Sequence, residues 1–241
     1  MSAVLATNDA RLAEDWSVPE VPPPLETGDR LSRAEFHRRY VSMPKTKKAE
    51  LIEGVVYMPS PVKYQRHSKP HSDLVWWLKH YTIHMSGVES GDNGTVLLDF
   101  ENELQPDAFL LLPKQAGGTC RINEDDFVDG APELVVEIAS SSASYDLHDK
   151  KRAYRRNGVR EYLVWVTREN RIEWWGLRDG EYVSLPTTDD GIIKSDVFTG
   201  LWLNAIALLK GDLAAVLAKL QEGLATEEAK AFQELLKAGK E

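Results

Sequence analysis

The fold is decided between Gln105 and Val166, in QPDAFLLL (105–112) and PELVVEIASSSASYDLHDKKRAYRRNGVREYLVWV (132–166). Pro106-Asp107 leads one apolar run, and Glu137 is set inside a second. The second run, Glu133 to Ala139, is β-branched and apolar at both parities, as expected of a strand covered on both faces. A serine-rich start then leads into a basic helix predicted over Tyr145 to Arg156, closed by Asn157-Gly158 as a left-handed cap. A third apolar run, Tyr162 to Val166, follows. Strands and helices interleave, so the chain reads as α/β.

A carboxylate inside an apolar run is expensive unless it is paired or metal-bound. That cost singles out Asp107 and Glu137. Two acids on neighbouring buried strands make a small site for a hard cation, because magnesium prefers oxygen ligands and needs only one or two carboxylates from the protein. Asp146, Lys150 and Tyr154 lie at i, i+4 and i+8 and share one helix face. Lys150 is therefore either a lysine brought back over the acids or one half of an ordinary surface pair with Asp146. Glu133 competes with Glu137, having the same parity four residues earlier, and reads as an exposed strand end. Glu53, between Ile52 and Gly54, is a third acid in an apolar setting. It reads either as an accessory metal ligand or as a hairpin-end residue.

Other chemistries find little support. His67/His71 and His80/His84 are spaced i, i+4, but neither pair has the third ligand a zinc site needs. His67, just before a helix start, is instead placed to meet a phosphate. Ser141, Ser142 and Cys120 lack a neighbouring base, which disfavours a nucleophilic enzyme. No glycine-rich phosphate loop stands out.

Outward from this stretch, residues 1–30 are acidic and proline-spotted and read as a loosely attached arm. Ser32-Arg33-Ala34-Glu35 predicts a capping box opening a helix to about Val41, ended by Pro44. Glu50 to Met58 reads as a strand turning at Gly54. A helix is expected from Ser68, with Pro70 in its first turn and an apolar face of Leu74, Val75, Trp77, Leu78 and Tyr81. Val96–Phe100 and Asp107–Leu112 read as strands joined by a polar link, Glu101-Asn102-Glu103. Residues 113–131 read as a loop. Hairpins follow Tyr162, and amphipathic helices are expected over 212–224 and 226–237. The predicted organisation is an arm (1–30), a domain (31–209) and a C-terminal helical extension (210–241).

The formal charge of -9 argues against a protein that grips nucleic acid mainly through phosphates. The charge is uneven, however. Lys150, Lys151, Arg152, Arg155, Arg156 and Arg160 fall within eleven residues that contain no acid. The lone Cys120 rules out an internal disulfide. No signal peptide or spanning segment is expected, so the expected location is the cytoplasm.

The ordered set ELIEG-V, P-S-P, His67, QPD, ELVVEIAS and D-x3-K-x3-Y-x3-GV-x-EY resembles the Uma family of prokaryotic endonucleases. That family belongs to the PD-(D/E)XK nuclease superfamily, and the resemblance spans roughly 31–209. It implies a restriction-endonuclease-like central mixed β-sheet flanked by helices, and metal-dependent hydrolysis of phosphodiester bonds in DNA. Implied metal ligands are Asp107, Glu137 and the accessory acid Glu53, with Mg2+ or Mn2+ as the ion. The superfamily lysine, two residues after the glutamate, is here Ala139. Lys150 on the next helix is the matching position and Lys151 the fallback. Lys151, Arg152, Arg155 and His67 are the expected nucleic-acid contacts; nucleases of this superfamily often pair as a homodimer to cut two strands, but the sequence does not fix the oligomeric state. The alternative is a catalytically inactive nuclease fold that binds nucleic acid or protein without cutting.

Overall fold

The structure is a computed structural model and describes residues 21–43, 45, 48–59 and 61–238. Pro44, Ser60 and residues 1–20 of the expected arm lie outside the described residues. The rest of that arm is attached rather than loose. Leu25 is buried, Arg30 bridges Val55, and the Gly28 N–H donates to the Val56 carbonyl.

Helix α1 (Arg33–Val41) starts at Ser32, whose hydroxyl accepts the Glu35 N–H at 3.4 Å. The capping box is only half made, because the Glu35 carboxylate turns to Arg38 and Arg39 instead. Strands β1 (Glu50–Ile52) and β2 (Val55–Tyr57) form a hairpin about Glu53-Gly54. Both turn residues have positive φ, 49° and 75°, the pairing a two-residue type I′ turn demands. A π-helical turn, Tyr64–Ser68, then runs into α2 (Lys69–His84). The predicted apolar face of α2 is buried at Leu74, Trp77, Leu78 and Tyr81.

Next come β3 (Glu89–Gly91), β4 (Val96–Asp99), β5 (Asn102–Leu104) and β6 (Ala108–Leu111). The polar link expected at 101–103 is thus part of a strand. Its acid is buried because the His37 ring lies 2.9 Å from the Glu103 carboxylate. The expected loop 113–131 contains a short hairpin, β7 (Arg121–Ile122) and β8 (Val128–Asp129). Strand β9 (Leu134–Ala139) is followed by a π-helical turn, Tyr145–Lys150, that continues as α3 (Lys151–Arg156). The remaining elements are β10 (Glu161–Val166), β11 (Arg171–Arg178), β12 (Glu181–Ser184), β13 (Ile192–Lys194), β14 (Trp202–Asn204), α4 (Ala205–Lys210), α5 (Leu213–Leu224) and α6 (Glu227–Ala238).

Two six-stranded mixed sheets result. One runs β12-β11-β10-β9-β6-β3, the other β2-β1-β5-β4-β8-β7. In the first, β9 pairs parallel with β10 and antiparallel with β6. Alternation along β9 sends Leu134, Val136 and Ile138 into the core shared with α2, α5 and α6. It sends Val135 and Ala139 to the opposite side, against Tyr154 of α3 and Tyr162 of β10. Glu137 has the parity of this second set. Among the described residues no helix is long and apolar enough to cross a membrane.

Candidate active site

The chain passes from one sheet to the other at Gln105-Pro106-Asp107, and this crossing is pinned along its backbone. The Gln105 N–H donates to Glu50 Oε1 at 2.8 Å, and Lys48 Nζ donates to the Gln105 carbonyl at 2.8 Å. The Asn93 N–H takes the Pro106 carbonyl, and His71 Nε2 donates to the Asp107 carbonyl at 2.8 Å. Pairs Leu110↔Leu134, Phe109↔Val135 and Ala108↔Val136 set the register of β6 on β9. One step further, that register places Asp107 opposite Glu137. Asp107 Oδ2 accepts the Ile138 N–H at 2.7 Å, and Oδ1 lies 3.2 Å from His67 Nε2.

Glu137 faces α3 and its lead-in turn. Its Oε1 accepts from Lys150 Nζ and from the Tyr154 hydroxyl, both at 2.9 Å. Lys150 Nζ also lies 3.0 Å from Glu50 Oε1 and 3.6 Å from Asp146 Oδ1. Asp146 Oδ2 accepts the Ser142 hydroxyl at 2.5 Å, while its Oδ1 is buried without a hydrogen bond. Glu50, Asp107, Glu137, Asp146 and Lys150 are each at most 6% exposed. They form the floor of a cleft of about 1070 Å³.

Three carboxylates around one ammonium, with the Asp107 carboxylate on the same floor, leave it short of positive charge. Burial pushes the Glu137 carboxyl up to about 8; Lys150 opposes this, while Asp146, Asp107 and Glu50 reinforce it. Burial raises Asp146 as well. Burial also opposes ionisation of Asp107. There the His67 hydrogen bond, the Lys48 and His67 charges and the Ile138 amide outweigh it, holding the carboxyl at about 2. Burial disfavours the Lys150 ammonium too, but Glu137, Glu50 and Asp146 overcome that and raise its pKa well above the ordinary lysine range.

Asp107, Glu137 and Lys150 therefore share one cleft floor, and His67, expected as a nucleic-acid contact, lies against Asp107. Glu53 does not join them. It occupies the β1–β2 turn, where Arg152 holds it at 2.5 Å and Arg156 at 3.4 Å. Glu50, at the start of β1, is the acid that reaches the floor instead. The turn geometry is the reason, since a residue at the tip of a tight hairpin points away from the sheet's packed face. The expected nucleic-acid contacts on α3 are also engaged elsewhere. Lys151 Nζ sits 3.4 Å over the Trp175 ring, Arg152 pairs with Glu53 and Asp149, and Arg155 pairs with Glu181. Lys63, Arg66 and Arg168 line the lip of the cleft. Glu133 is buried rather than exposed, its carboxylate accepting the N–H groups of Leu112 and Thr119.

The floor offers hard oxygen donors, an excess of negative charge and one buried carboxylate oxygen without a hydrogen bond, all of which suit a divalent cation. The donors are not gathered around one point. Among the described residues no group of three or more His, Cys, Asp or Glu side chains is spaced to hold an ion, because the Lys150 ammonium lies between Glu50 and Glu137.

Comparison with known proteins agrees with this fold. The chain is similar to a solved structure described as "a putative nuclease belonging to DUF820" from Anabaena variabilis. The match has a TM-score of 0.55 at 15% identity and covers 71% of this chain and 96% of the other. No curated protein matches the chain. A family model described as "Uma2: Putative restriction endonuclease" matches residues 33–206. The chain, with its two acids set face to face by strand register, belongs to the Uma2 family.

Proposed function

We propose that this protein is a divalent-metal-dependent endonuclease that hydrolyses phosphodiester bonds in DNA. One observation carries the reading. Strand register sets Asp107 against Glu137 on the floor of an open cleft, and Lys150 reaches that floor from the next helix. Asp107 and Glu137 would hold Mg2+ or Mn2+, with Glu50 in the accessory place first expected of Glu53. When bound, such an ion polarises a phosphoryl oxygen and lowers the pKa of water.

The chain's own groups do the rest. The Ile138 amide and the Tyr154 hydroxyl fix the orientations of the two carboxylates, so little reorganisation is needed when charge develops. With a cation held by these acids, the Lys150 ammonium would be the group placed to offset negative charge on the phosphoryl group. His67, beside Asp107, and the lip cations orient the backbone for in-line attack by water. Cleavage leaves a 3′-hydroxyl and a 5′-phosphate. We place the protein in the cytoplasm; a homodimer is required only where both strands of a duplex are cut.

Incubation of plasmid, single-stranded DNA and RNA with Mg2+ or Mn2+ tests the proposal. Cleavage is expected to fall at least about a thousandfold in Asp107→Asn and Glu137→Gln, with circular dichroism unchanged. A second reading, a silent binding module, is favoured by the ammonium seated among the acids. It prevails if the wild type cuts nothing and calorimetry detects no Mg2+ or Mn2+ binding.

A further inference from the structure

We infer that the cleft receives nucleic acid as an unpaired strand, with bases against Tyr57 and Tyr145 and phosphates at Lys63, Arg66 and Arg168. The inference rests on the nuclease reading for its substrate class, but its geometry is independent of the acid floor.

Three features of the lip support it. First, Tyr57 and Tyr145 line the cleft with ring centroids 4.6 Å apart and a tilt of 57°. Tyr145 remains 39% exposed. A tilted pair with one open face can take a base by stacking. Second, Lys63, Arg66 and Arg168 are exposed along the same cleft, and none has an ion pair with a described residue. Arg66 and Arg168 are tied to one corner, because the Thr167 hydroxyl donates to the Arg66 carbonyl at 2.9 Å. Third, basic and apolar side chains interleave on this edge. Val62 and Tyr64 flank Lys63 and are 67% and 66% exposed.

Cations that track a backbone, combined with aromatic faces that stack on bases, are how single strands are held without reading sequence. A duplex gains nothing from exposed tyrosine faces, since its bases already stack on one another and present only their edges. Duplex grip through many phosphates also needs a broad basic surface. The strongest basic cluster in the chain, on α3, is neutralised by its own neighbours. The reactive carboxylates are sunk in the floor, where a flexible strand can descend more readily than a rigid double helix.

The test is fluorescence anisotropy of the full chain in calcium, at one salt concentration. Probes are labelled twelve-residue oligo-dT, twelve-residue oligo-U and a twelve-base-pair DNA duplex. At least one single strand is expected to bind about tenfold more tightly than the duplex. Tyr145→Ala is expected to weaken that binding roughly tenfold while leaving the duplex unchanged, and Tyr145→Phe, which keeps the ring, to restore it. Equal binding of dT and U indicates stacking alone, and a difference between them is assigned to the sugar or to the thymine methyl by a twelve-residue oligo-dU probe. Duplex binding as tight as single-strand binding, wild-type affinity in Tyr145→Ala, or no binding of any probe overturns the inference. Single-strand binding without cleavage in Mn2+ would leave it standing and remove the nuclease reading. Cleavage of duplex that ignores Tyr145 would do the reverse.

Discussion

The basic segment 150–160 and the lip of the cleft both present cations, and they differ in what surrounds them. In the segment, Lys150 is held by three carboxylates, Lys151 lies over Trp175, and Arg152 pairs with Glu53 and Asp149. Arg155 pairs with Glu181, Arg156 with Asp99, Glu53 and Glu101, and Arg160 donates to the Gly117 carbonyl. At the lip, Lys63, Arg66 and Arg168 have no such partners among the described residues. The denser cluster is therefore largely neutralised within the chain, and the sparser one is not. Linear charge density reports how many cations a segment carries, whereas binding depends on how many remain unneutralised.

The largest test of this contrast is Lys150→Met. Removing the ammonium strands three buried carboxylates. Loss of one partner from a buried ion pair costs about 3–5 kcal/mol, which urea unfolding would read as a lower midpoint at unchanged slope. An unaltered midpoint would mean that Lys150 is not the counter-ion of the floor. The second test sets the two regions against each other. Arg66→Ala and Arg168→Ala should each flatten the salt dependence of nucleic-acid binding by roughly 0.7 to 0.9 in the logarithmic slope. Arg152→Ala and Arg155→Ala should leave that slope alone and lower stability by about 1 kcal/mol or less, as exposed ion pairs do. If the helix variants flatten the slope and the lip variants do not, the comparison is inverted.

The smallest effect concerns pH. Burial disfavours charge on Asp99, yet hydrogen bonds from Asn157, the Glu101 N–H, Asn102 and Arg156 outweigh it and hold the carboxyl at about 2. Its ordinary value is 3.8. Because the folded value is the lower one, the stabilisation is fully present above about pH 4 and is lost as pH falls through 2. The difference in urea midpoint between wild type and Asp99→Asn should therefore shrink over that interval. A constant difference would show that Asp99 is not held ionised by the helix end.

Much of the floor was legible before any coordinates. Asp107 and Glu137 stood out because an acid inside an apolar run must have a reason to be there. Lys150 stood out because i, i+4 spacing placed it on one face with Asp146 and Tyr154. That pair proved to be buried and not a surface ornament. The resemblance points to Glu53 and not to Glu50, although the sequence holds a contrary signal. Glu53-Gly54 between ELI and VVY has the form of a two-residue hairpin turn, which moves Glu53 to the tip and leaves Glu50 on the strand. Strand β5 was missed because Asn102 and Glu103 look like loop residues until His37 and Asp99 are there to satisfy them. The lip cations carried no signal at all, since Lys63, Arg66 and Arg168 are isolated basic residues more than a hundred positions apart at the extremes.

The sequence alone determined the strand–helix–strand core and the acids set in its apolar runs, while Lys150 was tied to those acids through family resemblance. The core and its acids follow from local hydrophobic periodicity and from the high penalty for desolvating a carboxylate. Only the tertiary structure decided which third acid joins the floor and which cations stay available. Neutralisation depends on the charges lying within a few ångströms in space, and chain order does not record those distances.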